Sequence, residues 1–102
     1  MRPDEILDLD PVIHVPTRLA ILSLLATMKS ASFSYLKKSI GVTDGNLSTH
    51  LNKLDEHQYI QITKTFQGKR PLTTCSLTDR GRKAFMAYIQ RMEQIIKTQK
   101  ME

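Results

Sequence analysis

Apolar residues change their rhythm repeatedly along this chain, and each change marks an element. Leu19, Ile21, Leu22, Leu24, Leu25 and Met28 fall nearly all the way round a helix, as in one buried at the centre of a domain. Pro16 suits the first turn of that helix, where its missing N–H costs nothing. Ser30-Ala31-Ser32-Phe33 is too short for a helix and reads as extended. Ser34 then offers an N-cap for a second helix, with Tyr35, Leu36 and Ile40 as its apolar side and Gly41 at the C′ position. Thr43 is another N-cap, and a third helix is predicted to run to about His57. Two helices joined by a few residues that include glycine outline a helix-turn-helix.

The period falls to two at Tyr59-Ile60-Gln61-Ile62-Thr63-Lys64-Thr65-Phe66, a strand pattern rich in β-formers. Gln67-Gly68-Lys69-Arg70-Pro71 is turn chemistry, and Leu72–Leu77 makes the second strand of a hairpin. Thr78 caps a final helix reaching about Thr98, with Asp79 in the first turn where the dipole favours an acid. Ahead of all this, Pro3, Pro11 and Pro16 punctuate the N-terminal arm, so Asp4–Leu9 is at most a short helix. The predicted fold is mainly α with a small β-hairpin (α+β), a winged helix-turn-helix. Its 102 residues suit one domain: arm 1–15, core 16–77 and C-terminal helix 78–102.

On the third helix Leu47, Leu51 and Leu54 form one stripe, with Gln58 at its end, and must face the core. The opposite side presents Gly45, Thr49, Asn52, Lys53 and Glu56, flanked by Asn46 and Ser48. A merely solvated face carries several Lys, Glu and Arg; this one uses short Asn, Ser and Thr over its first turns, which suits base-edge readout in a major groove. Gly45 lets a backbone come close. Ser34 and Thr43, at the heads of the two helices, join the candidate contacts. His50 sits beside the core stripe and either packs or meets a phosphate. Asp44 serves the helix dipole or accepts from a cytosine amine.

Charge sharpens this reading. The formal net charge is +5, yet residues 1–10 hold Arg2 against Asp4, Glu5, Asp8 and Asp10, so −3 there leaves +8 on the rest. A basic body favours a polyanion, nucleic acid first. The hairpin carries Lys64, Lys69 and Arg70 and no acid, as expected for backbone or minor-groove contact. The last helix has an apolar stripe of Phe85, Tyr88, Ile89, Met92, Ile95 and Ile96 longer than the core can cover. It predicts a homodimer, joined by Ile6, Leu7, Leu9 and Val12 of the arm, unless the arm folds back over that helix within one chain.

With these residues assembled, the chain resembles the MarR/ArsR-like winged-helix regulators, in their minimal single-domain form. The matching stretches are Pro16–Leu22, Phe33–Lys37, Thr43–Leu51, Leu54 to Ile60, Gly68–Pro71 and Leu77–Arg82. The resemblance implies a prokaryotic, homodimeric transcription regulator, usually a repressor, on a palindromic operator of double-stranded DNA. It carries DNA contact onto Asn46, Ser48, Thr49 and His50, and onto Lys69 and Arg70. It departs from the metal sensors of that group: one cysteine, Cys75, and His14, His50 and His57 have no ligand spacing, so neither metal nor cofactor is expected. An unknown small-molecule effector would have to sit between dimer helices and core.

No catalytic constellation, phosphate loop, membrane-length apolar run or signal peptide is legible, so a non-enzymatic, cytoplasmic, nucleoid-associated protein is expected. The rival functions are a winged helix used for protein–protein contact in a larger transcription-related assembly, and duplex binding by shape alone.

Overall fold

A computed structural model describes residues 2–99. A 3₁₀ helix, Pro3–Asp8, precedes α1 (Pro16–Leu25), β1 (Ala31–Ser32), α2 (Phe33–Ile40), α3 (Asp44–Glu56), β2 (Ile60–Gln67), β3 (Arg70–Leu77) and α4 (Asp79–Gln99). The three strands form one antiparallel sheet in the order β1-β3-β2. Fully buried Ile13, Ile21, Leu22, Leu25, Leu36, Leu47, Leu54, Ile60 and Cys75 bring the helices and sheet into a single core. Burying branched aliphatics supplies the main drive to fold, at roughly 1.5–3 kcal/mol per side chain.

Local chemistry fixes most boundaries. Gly41 ends α2 in the left-handed region (φ 79°), and Thr43 Oγ1 caps α3 by accepting from the Asn46 amide at 3.1 Å. Thr78 plays the same part for α4, accepting from the Gly81 amide at 2.9 Å. Its hydroxyl also donates to the Gln58 carbonyl at 2.6 Å, which ties the start of α4 to the exit of α3.

Three expectations need correcting here. Ser32, not Ser34, caps α2, accepting from the Tyr35 amide at 3.0 Å; pairing of Ala31 and Ser32 with β3 holds the chain extended until that residue. Tyr35 stands 45% exposed instead of packing with Leu36. Gln58 adopts φ 61° and is exposed, because it reverses the chain out of α3 rather than extending the leucine stripe.

The arm folds back within the chain. Leu9 and Val12 reach the core, as do Phe85 and Tyr88 of α4, so these four expected dimer residues are already covered by their own protomer. The His14 Nδ1 and Tyr88 hydroxyl make a 2.8 Å hydrogen bond, and Arg91 Nη1 donates to the Glu5 carbonyl at 3.2 Å. Asp10 ties the arm to the root of the hairpin, accepting from Tyr59 Oη at 2.5 Å and from the Val12 amide at 2.9 Å. Ile6, Leu7 and Ile96 remain exposed, and Ile89, Met92 and Ile95 are half-buried.

Candidate nucleic-acid interface

The amphipathic pattern of α3 decides which side chains face outward. Leu47, Leu51 and Leu54 are buried, leaving Gly45, Asn46, Thr49, Asn52 and Lys53 exposed and Ser48 and His50 half-buried. Thr49 Oγ1 donates to the Gly45 carbonyl at 2.9 Å, which leaves its lone pairs for a partner's donor. Thr43 is exposed at the head of α3, although its hydroxyl already accepts from Asn46. Ser34 lies exposed in the first turn of α2, in an open cleft with Lys37, Lys38 and Asp44.

Asp44 finds a partner that the sequence did not disclose. Lys37 Nζ lies 2.7 Å from its carboxylate, bridging α2 and α3 and cancelling the acid at the start of the outward helix. Both side chains are largely exposed, so the pair adds at most about 1 kcal/mol to stability. Its larger effect is on the potential of this face.

The hairpin flanks α3 on one side. Gln67 pairs with Arg70 across a two-residue turn, with Gly68 at φ 65°. A positive φ at the first central position matches the twist of the strands and costs glycine nothing. Strand alternation puts Ile60, Ile62, Lys64 and Phe66 on the same face of β2, so Lys64 and Phe66 continue the core face beyond the core. Lys64 thereby shares a cleft with Ser48 and Asn52. Lys69 and Arg70 are exposed at the far tip.

The structure thus gathers Ser48, Asn52 and Lys64 in one cleft, and Thr49, His50, Asn52 and Lys53 in another, where Arg18 of α1 joins them. Lys69 and Arg70 stay at the tip, apart from both groups. Three residues on or beside this surface escaped the sequence reading: Arg18, Lys37 and the 73% exposed Phe66. Arg18 had a signal, being the one cation inside a helix otherwise apolar nearly all round. Lys37 and Phe66 had none, since their placement depends on the angle between helices and the reach of the core.

A short polar helix face thus lies beside an acid-free hairpin. Residues 17–96 match the family model of the winged helix DNA-binding domain. The chain belongs to that family. A relative, an uncharacterised protein of Methanocaldococcus jannaschii, is 39% identical over 80 residues, spanning 78% of this chain and 87% of its own.

Solved winged-helix structures show the same fold. A transcriptional regulator homologue from Pyrococcus horikoshii OT3 superposes with a TM-score of 0.89 at 24% identity, covering 96% of this chain and 99% of its own. Bacillus subtilis PadR, in a crystal structure with operator DNA, gives 0.61 at 22% identity over 69% of this chain and 45% of its own. The protein therefore shares its fold with transcription regulators of the ArsR and PadR kinds, and its family is one of DNA-binding domains. Among the described residues no helix is long and apolar enough to cross a membrane, and no cluster of three metal-ligating side chains occurs.

Proposed function

We propose that the protein is a sequence-specific transcription regulator that acts as a homodimer, most simply a repressor, on a palindromic operator in the chromosome. In this reading α3 enters the major groove, where Asn46, Ser48, Thr49 and Asn52 read base edges while His50 and Lys53 meet the backbone. Ser34 and Thr43 contact phosphate near the helix heads, and Gly45 allows close approach. Lys64, Lys69 and Arg70 lie on the backbone and minor groove. The observation that carries the reading is the short-chain polar face of α3 between cation-bearing clefts. The PadR complex with operator DNA supports it, as a protein of similar fold bound to such a target.

A protein–protein module would replace that face with apolar or acidic groups, and this chain does neither. For dimerisation the support is α4, whose last buried residue is Tyr88, eleven positions before its end at Gln99. Ile6, Leu7, Ile89, Met92, Ile95 and Ile96 are the residues left to a second copy.

The test is competition between a selected operator duplex and random duplex, read by fluorescence anisotropy. Asn46→Ala combined with Thr49→Ala should cut the preference for operator by about tenfold or more, as expected for lost base contacts of about 1–3 kcal/mol each. Retention of the full preference by the folded double variant would reject this assignment of α3.

A further inference from the structure

Arg18 is unusual in what it lacks. It sits in the first turn of α1, half-buried, and its Nε is fully buried without a hydrogen-bond partner. Among the described residues no hydrogen bond or ion pair engages any part of its guanidinium, so a permanent cation with five donors stands unspent. A donor taken out of water without a partner is costly, and such a group in a folded protein calls for an explanation, a bound anion being one.

Its surroundings indicate which ligand. Arg18 lines an open cleft of about 490 Å³ with Thr49, His50, Asn52, Lys53 and Glu56 of α3. That set offers a guanidinium, an ammonium, a hydroxyl, an amide and an imidazole able to donate one N–H, against a single carboxylate. Glu56 is 67% exposed and lies 3.9 Å from Lys53, a distance that leaves the lysine free to turn to a stronger anion. Val15, ahead of α1, supplies no side-chain cap, so the amides of the turn that carries Arg18 add positive potential. Asn52 borders this cleft and also the one that holds Lys64 of the hairpin. The two clefts therefore lie on either flank of the outward ridge of α3.

We propose that Arg18, with Lys53 and His50, is a phosphate clamp that grips the DNA backbone on the flank of α3 away from the hairpin. The hairpin holds one side of the groove and the clamp the other, so α3 is fixed in register before its short side chains read the bases. The proposal rests on the DNA-binding reading and adds to it a contact from outside the helix-turn-helix and the hairpin. A guanidinium suits the task because its planar fork meets two phosphate oxygens at once, which an ammonium does not.

The experiment is a titration of labelled duplex, operator and random, between 50 and 300 mM KCl, with wild type, Arg18→Gln, Arg18→Lys, Glu56→Gln and the control Lys97→Gln. Each phosphate released contributes about 0.9 to the slope of log affinity against log salt. Arg18→Gln should flatten that slope by about 0.9 per protomer and weaken operator and random DNA by the same factor, on the order of tenfold. Arg18→Lys should restore the slope but not the whole affinity. Glu56→Gln should tighten both duplexes by a few-fold, which a structural role for the cleft does not predict. Lys97→Gln should match wild type. A folded Arg18→Gln with the wild-type slope would overturn the clamp, and should that variant fail to fold, an unchanged affinity for Glu56→Gln would do so. Wild type that binds no duplex at all would instead sink the DNA-binding reading, a separate outcome.

Discussion

Cys75 lies in the middle of β3 opposite Ile62, 1% exposed, and burial pushes its thiol from 9.0 up to about 11. At neutral pH it is a thiol in an apolar site and a poor nucleophile. A thiol-exchange dye should leave the native protein unlabelled and react on unfolding in urea; fast native labelling would contradict this burial. Tyr59 is raised to about 12, first by burial and then by its hydrogen bond to Asp10. Both groups have folded values above their ordinary ones. The stability they confer is present below about pH 9 and is lost as pH rises through 11 and 12. Melting temperature should therefore fall across that window, and less steeply in Tyr59→Phe than in wild type. Gly81 is a third case. A Cβ there would overlap the Tyr59 carbonyl, because α4 starts directly against the chain leaving α3. Gly81→Ala should cost about 3 kcal/mol in urea denaturation, at the upper end of what overpacking costs. The buried place of Cys75 is readable from strand alternation. Nothing in the sequence near Gly81 announces the close approach, which depends on how two distant segments meet.

At the scale of elements, the proposed function divides the work between the hairpin and α3. Arg70, exposed beside the two-residue turn, is free to enter a minor groove. Arg70→Ala should weaken operator and random DNA alike and reduce the salt slope by about one, as for a phosphate or groove contact. A loss confined to operator would move Arg70 into base readout. Asp44→Asn should change stability by less than about 1 kcal/mol, since the Lys37 pair is solvent-screened, while raising duplex affinity by removing an acid from the outward face. Most elements were legible because their punctuation is chemical: Gly41 needs its left-handed conformation, Thr43 and Thr78 cap, and Gly68 turns the hairpin. The start of α2 was not. Ser32 and Ser34 are equal as caps on paper, and only the pairing of β1 with β3 chooses between them. The outward residues of α3 followed from its leucine stripe, whereas Arg18 and Lys37 reach the same surface from other helices.

For the whole molecule the question is what lies beyond the core. The chain extends over 59 Å against 25 and 21 Å in the other directions, with α4 alone about 31 Å long at the helical rise. Part of the stripe expected to hold a dimer is satisfied at home, where Leu9, Val12, Phe85 and Tyr88 are buried. What remains for a partner is narrower: Ile6, Leu7, Ile96 and the half-buried Ile89, Met92 and Ile95. Met92→Lys should then sediment as a folded monomer; a wild-type protein that is already monomeric would remove the dimer. The sequence could not separate these two uses of one stripe, because periodicity gives a face and not its occupant. Two copies related by a two-fold axis would place their α3 helices in successive major grooves, about 34 Å apart. Selection of bound duplexes from a random pool tests that claim most directly. The account predicts enrichment of an inverted repeat whose half-sites are centred about one helical turn apart. A folded protein that enriches no sequence, or only an isolated half-site, would contradict it.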